Sequence, residues 1–290
     1  MDAMDAMDVM DATGGAHNPA AFEAAVRAYL EPTRHQFNHQ QMLETFLSVE
    51  RFRLWAAVVE REVGVAGKRV LSSGCGFAGS LLAWREAGAA VALGVEVDAD
   101  YLRFGALRTA ELPGAGVVAY DGVQLPFGGA AFELVESMDV LEHTPDPATY
   151  LGELHRVLAP GGAVLVVTPN RLWPVEQHLG ILGPPWLPIG LADAAFGAVA
   201  RLPAAVPGLS EERRFKYARL RGMRTHNVSL RTLRGHAKQL GFHLQLLDPA
   251  DSREGWPLPR TGARMQRLAL HRMGKFLAPT KTLAVLLHKR

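Results

Sequence analysis

Residues 69–96 read RVLSSGCGFAGSLLAWREAGAAVALGVE, and this stretch decides the fold. A short apolar strand at Val70 and Leu71 runs into a glycine-rich turn, Gly74-Cys75-Gly76-Phe77-Ala78-Gly79. A helical segment follows from Ser80 to Ala87, and Gly88 stops it. A second apolar strand, Val91 to Val95, ends on Glu96. The pattern is a βαβ unit with a nucleotide-type turn between its first strand and its helix. Gly74 and Gly76 let the backbone turn tightly and approach a ligand with no Cβ in the way. The helix N-terminus behind them offers free N–H groups to a polar or anionic group. Glu96 stands where a carboxylate accepts hydrogen bonds from ribose hydroxyls. Ser72, Ser73, Gly74, Cys75, Gly76, Gly79, Glu96 and Val97 are therefore the candidate cofactor contacts of this unit.

Downstream, Asp98 is an N-cap for a helix over 99–110. A third strand, Val117 to Ala119, ends at Tyr120-Asp121-Gly122. Residues 132–143 read FELVESMDVLEH. Phe132 to Val135 is expected as strand four, and Glu136 to His143 as the segment facing the site, with Met138 and Asp139 toward the cofactor. Asp146-Pro147 starts a helix through Leu158. An APGG turn over 159–162 leads into strand five, Ala163 to Thr168.

At these residues the chain resembles the class I S-adenosylmethionine-dependent methyltransferases. The GCG core and the DVLEH segment are closest to their type 11 subgroup, which includes quinone-biosynthesis O-methyltransferases. The resemblance implies an α/β, Rossmann-like seven-stranded sheet in the order 3-2-1-4-5-7-6, with the last strand antiparallel. It implies S-adenosyl-L-methionine as cofactor and a small-molecule acceptor as partner. By the same resemblance Asp121, beside Gly122, pairs with the adenine amino group; a turn aspartate before glycine is the competing reading. Two positions depart from the family pattern. Ser72 stands where an acidic residue helps hold the methionine end of the cofactor, and Ala78 replaces the third glycine.

Around this core, residues 1–18 repeat MDAMDAMDVM and lack a core-forming pattern, so a disordered tail is expected. Residues 19–66 read as two helices forming a cap, the first from Pro19 to Leu30 and the second from about Asn38 or Gln40 to Val63. The methyltransferase domain then spans 67–290, with insertions at 170–228 and 248–279. In the first insertion Asp193 and Arg201 are the only charges between His178 and Glu211, and prolines 184, 185, 188, 203 and 207 forbid one long helix. It reads as a lid over the substrate pocket, with a short helix at 192–202. The core resumes with a helix capped by Ser229, strand six at Phe242 to Leu247 and a last strand at Thr282 to His288.

Composition narrows the function classes. The 48% hydrophobic content suffices for a core. The single cysteine, Cys75, excludes an intramolecular disulfide and argues against a cysteine-based zinc site. It reads as a packing residue. No apolar run long enough for a membrane span and no secretory leader are evident, so a cytoplasmic protein is expected. Charge is segregated: residues 1–200 hold 12 Lys+Arg against 24 Asp+Glu, and residues 201–290 hold 19 against 5. Such asymmetry suits an anionic substrate or surface; a solvated basic face is the plainer account.

Methyl transfer to a hydroxyl or amine needs an aligned nucleophile and a base to remove its proton. His143 is the leading candidate base, with a loop-anchoring role as the alternative. His178 is second, with Glu176 two residues before it. Glu142, His143, Glu176 and His178 could also assemble a metal site, although no metal is expected. The apolar 179–209 stretch suggests a hydrophobic pocket or peripheral contact with a membrane, and the arginines after it suggest phosphate or carboxylate recognition. A lipid-, quinone- or prenyl-like acceptor methylated on oxygen combines both. The NRLWPVEQH stretch is also similar to methyltransferases of glycan and polysaccharide assembly. An RNA or protein methyltransferase is a further reading, though the arginines lack interleaved aromatics and nucleic acid is not expected. Ser72 motivates a third, a noncatalytic cofactor-binding protein. Oligomeric state is not legible.

Overall fold

The computed structural model describes residues 19–34, 39–171, 175–176, 181–182, 189–203, 210, 213–214, 217–218, 228–247 and 282–290. Three helices open it: α1 (Pro19–Leu30), α2 (His39–Leu47) and α3 (Glu50–Val63). Strands and helices then alternate: β1 (Arg69–Ser73), α4 (Gly79–Glu86), β2 (Val91–Glu96), α5 (Ala99–Thr109), β3 (Ala115–Ala119), β4 (Phe132–Met138), α6 (Pro147–Val157) and β5 (Leu158–Pro169). A two-stranded hairpin, β6 (Val175–Glu176) and β7 (Ile181–Leu182), precedes α7 (Ile189–Ala200). The chain closes with α8 (Leu230–Gln239), β8 (Phe242–Leu246) and β9 (Thr282–Lys289).

Seven strands form one sheet in the order β3-β2-β1-β4-β5-β9-β8. Counted along the sheet's own strands this is 3-2-1-4-5-7-6, as the resemblance implies. The final strand β9 runs antiparallel to both neighbours, β5 and β8. The parallel strands are largely apolar because helices cover both faces. On one face Leu71, Val135 and Val166 pack with Tyr150, Leu151 and Leu154 of α6 and Leu233 of α8. On the other, Val70, Leu134 and Val167 meet Trp55 and Val59 of α3 and Leu81 and Trp84 of α4. A third cluster joins Phe22 and Val26 of α1 to Leu43, Phe104 and the turn residue Phe77. The N-terminal helices thus pack directly on the glycine turn.

Three local expectations need correction. The second of the two helices expected before β1 is itself two helices, broken at Ser48 and Val49. The reason lies on α5. Arg108 donates Nη1 to Phe46 O at 2.9 Å and Nη2 to Leu47 O at 2.7 Å. A continuing helix would need those same carbonyls. Strand four is longer than expected and runs to Met138, so Glu136 lies inside the sheet. The APGG segment is an irregularity within β5: β4–β5 pairing passes from Phe132↔Leu158 to Leu134↔Ala163.

Asn170 and Val228 form a parallel bridge, and Arg171 N donates to Val228 O at 3.2 Å. The chain therefore leaves the end of β5 and returns to the same place before α8. The expected tail at 1–18 and the insertion at 248–279 lie outside the described residues, as does most of 170–228. The helix expected there begins earlier, at Ile189. Among the described residues, no helix is long and apolar enough to cross a membrane.

Candidate functional site

In a parallel sheet of this order the chain turns one way after β1 and the other way after β4. The carboxyl ends of these adjacent strands part to leave a crevice. A cleft of about 250 Å³ lies there. Gly74, Cys75, Gly76, Phe77, Gly79 and Ser80 form one side. Glu136, Met138 and Asp139 come from β4 and its end, and Ser48, Arg51 and Phe52 from the α2–α3 junction.

The glycine turn is shaped by its own backbone. Gly74 N and Cys75 N both donate to Val95 O, at 3.0 and 3.1 Å, folding the turn back onto β2. Gly74 has φ +74°, and a Cβ there would lie 2.5 Å from Val140 Cγ2. Gly76 has φ +53°, and a Cβ there would meet nothing within 4 Å. Turn and cleft thus leave open space where the second glycine faces. Ala78, at the third glycine position, also takes a left-handed conformation, with φ 56°. So does Asp139, with φ 55°, across the cleft. Each costs a non-glycine residue about 1 kcal/mol or more, and such strain collects where a site constrains the backbone.

The acidic residues occupy distinct settings. Glu96 Oε2 accepts from Gly76 N at 2.8 Å, and Oε1 accepts from Val97 N and Asp98 N at 2.8 and 3.2 Å. Backbone amides thus fix the carboxylate against the turn. Asp121 Oδ1 accepts from Val123 N and Gln124 N, at 2.8 and 2.9 Å. These amides make an Asx turn before Gly122 (φ +80°) and hold its pKa below the usual aspartate range. Asp139 Oδ2 accepts from Arg51 Nη1 at 2.5 Å. The Cys75 thiol is buried, and burial pushes its pKa well up, with Glu96 adding to the effect. This suits a packing residue.

Ser72 and Ser73 point to opposite faces of β1. Ser73 is buried, and the Tyr150 hydroxyl lies 2.9 Å from both Ser73 Oγ and Ser137 Oγ. Ser72 shares a 2.9 Å hydrogen bond with Ser80 of α4. Neither serine, nor Glu96, Val97, Asp121 or Gly122, is among the residues lining the cleft itself; Val97 is largely exposed. Of the predicted contacts, Gly74, Cys75, Gly76, Gly79, Met138 and Asp139 are brought together there.

His143 closes a short 3-10 turn, Leu141–His143, just past β4. Its ring is half exposed, and Nε2 lies 4.0 Å from Glu142 Oε1. Glu142 is fully buried and accepts from Thr168 Oγ1 at 2.9 Å. Glu176 ends β6, and His178 lies outside the described residues. Among the described residues, no group of three or more His, Cys, Asp or Glu side chains could hold a metal ion.

Sequence reasoning missed Arg51, Ser80, Arg108 and Glu136. Arg108 is buried against the ring of Phe22, donates also to Phe77 O at 3.3 Å, and burial pushes its guanidinium down to about 10. Glu136 was placed in the segment after strand four, and only the longer strand shows it as a buried acid of the sheet. Arg51 had no local signal, because its partner Asp139 is 88 residues away.

Comparison with known proteins agrees with this geometry. Residues 71–166 match the family described as "Methyltransferase domain". A ubiquinone biosynthesis O-methyltransferase from Psychrobacter arcticus is 34% identical over 116 residues, 38% of this chain and 44% of that protein. A demethylmenaquinone methyltransferase from Staphylococcus epidermidis is 32% identical over 132 residues, 44% of this chain and 55% of that one. The chain thus spans about half the length of these relatives. A crystal structure of an S-adenosylmethionine dependent methyltransferase from Mesorhizobium loti aligns with TM-score 0.53 at 19% identity, covering 83% of this chain and 100% of that one.

Proposed function

From a chain whose residues 71–166 are a class I S-adenosylmethionine-dependent methyltransferase domain, we infer an enzyme that methylates a hydroxyl group of a small hydrophobic or anionic acceptor. The observation that carries this reading is the crevice itself. The glycine turn, with its open space at Gly76, lines the crevice between β1 and β4, and Glu96 at the end of β2 is fixed to that turn through Gly76 N.

The residues fit the cofactor. Glu96 Oε2 accepts one hydrogen bond from the protein and retains acceptor capacity for a ribose hydroxyl. The backbone at Gly74 and Gly76 admits close approach. Asp121, Gly122 and Val97 stand at the ends of β3 and β2, where an adenine ring would lie. Once bound, S-adenosylmethionine supplies a methyl group on a sulfonium, which an in-line nucleophile displaces with the sulfide as leaving group. The protein's remaining tasks are alignment and proton removal. His143 is proposed for the second: it follows β4 in the Leu141–His143 turn, is half exposed, and has the Glu142 carboxylate 4.0 Å from Nε2, although it is not among the cleft-lining residues. Glu176 and His178, in the segment after β5, are the alternates.

Two of the relatives carry the names ubiquinone biosynthesis O-methyltransferase and demethylmenaquinone methyltransferase. Together with the apolar 179–209 stretch, they support a quinol- or phenol-like acceptor here.

Calorimetric titration with S-adenosylmethionine and S-adenosylhomocysteine tests the core of the reading. Micromolar binding is expected, and a Gly74→Arg variant should abolish it, because the side chain would have to displace Val140 or fill the cleft. Acceptor turnover should then be screened on quinols and phenols, prenyl phosphates and sugars. In the same assay His143→Gln should retain cofactor affinity and lose kcat by about 100-fold or more. Absence of binding by the unaltered protein would sink the enzyme reading; unchanged kcat would remove His143 from it.

A further inference from the structure

Glu136 is 2% exposed, yet it forms part of the cleft wall. Its neighbours on the same face of β4, Leu134 and Met138, are apolar and buried. Its carboxylate Oε2 accepts from Trp84 Nε1 at 2.7 Å, and the nearby hydroxyls of Ser72 and Ser80 favour its charged form. All three partners are neutral. Among the described residues, no Lys, Arg or His nitrogen forms an ion pair with it within 4.0 Å. Burial alone drives its pKa up, against the hydrogen bonds and the more distant charge of Arg51. An ionised carboxylate buried without a cation is a costly choice where an apolar side chain would pack. The cost is recovered if the cation arrives from the cleft.

The sheet register shows where such a cation belongs. Ser72 of β1 and Glu136 of β4 are direct register partners. Ser72 is the position at which the family resemblance leads one to expect an acid. On β4 the acid stands one strand over, in register with the serine that took its place. We propose that Glu136 is the anionic partner of the α-ammonium group at the amino-acid end of the cofactor, its carboxylate transferred from β1 to the adjacent strand. The proposal rests on the cofactor reading above and goes beyond it in naming the residue. Trp84, Ser72 and Ser80 are positioning residues, holding the carboxylate toward the glycine turn.

The test uses three ligands and three proteins in calorimetry: S-adenosylhomocysteine, its desamino analogue and 5′-methylthioadenosine, which lacks the whole amino-acid end. The unaltered protein should bind desamino ligand about tenfold or more weaker than S-adenosylhomocysteine, the loss expected for a charge-assisted hydrogen bond. Glu136→Gln should weaken S-adenosylhomocysteine by a similar factor, leave 5′-methylthioadenosine within about twofold, and no longer distinguish the desamino analogue. Returning the carboxylate to β1, in Ser72→Asp combined with Glu136→Gln, should restore the discrimination. Equal affinity of the unaltered protein for S-adenosylhomocysteine and its desamino analogue would overturn the proposal without any variant. Equal weakening of all three ligands by Glu136→Gln would overturn it too, assigning Glu136 a packing role. If the unaltered protein binds none of the ligands, the cofactor reading itself falls.

Discussion

Residues in the turn act by what they leave out as much as by what they contribute. Gly94 of β2 lies beneath Cys75, and a Cβ there would sit 2.5 Å from Sγ and 2.7 Å from the Cys75 Cβ. Both atoms are buried, so neither can move without shifting the turn. Gly94→Ala should cost about 1–3 kcal/mol, the usual range for overpacking a filled core. Pairing it with Cys75→Gly removes both close atoms and should return part of that loss in urea unfolding. If the double variant is no more stable than Gly94→Ala, the contact is not the cause. The turn was legible at this scale from Gly74, Gly76 and Glu96 alone. Glu136 was not. The motif reading placed it after strand four, and only the longer strand and its register with Ser72 reveal it as a buried acid.

Elements are joined to the site through Arg108. From α5 it holds the carbonyls of Phe46 and Leu47 at the end of α2 and reaches Phe77 in the turn, with Phe22 of α1 against its guanidinium. Phe77 stacks between Phe46 and Phe104, with centroids 4.1 and 4.9 Å away. The N-terminal helices and the glycine turn are therefore one packed unit. Arg108→Met keeps most of the apolar volume but leaves those carbonyls without their donor. A loss of about 2–4 kcal/mol is expected, accompanied by faster amide exchange in α2 than in β4. Uniform protection across α2 and β4 in the variant would show that the helices do not depend on this residue. The 3.6-residue periodicity of 39–63 was read correctly as helical. The break at Ser48 could not be, because its cause comes from Arg108, 60 residues downstream.

For the whole molecule, the pH dependence of stability carries the signature of Glu136. Its folded-state pKa is raised above the ordinary 4.5 by burial. The folded protein therefore holds a proton that the unfolded chain has released. Stability from this source is fully present below pH 4.5 and is lost as pH rises through the raised value. Without cofactor, the melting temperature of the unaltered protein relative to Glu136→Gln should fall as pH rises above 4.5. A flat difference would mean that Glu136 does not titrate in this range. The same molecule divides cleanly into what its sequence determined and what tertiary structure decided. The strand, glycine turn, helix and terminal acid of 69–96 and the later segments at 132–143 and 159–168 follow from local pattern, and the sheet order follows from the family resemblance these segments carry. Turn chemistry and apolar periodicity act over a few residues, and right-handed crossovers leave few ways to join them. The break between α2 and α3, the return of the chain from Val228 to Asn170, the pairing of Arg51 with Asp139 and the placement of Glu136 against Ser72 were decided by folding. Each joins residues distant in the chain, and no local propensity records which partner the packed sheet will bring within reach.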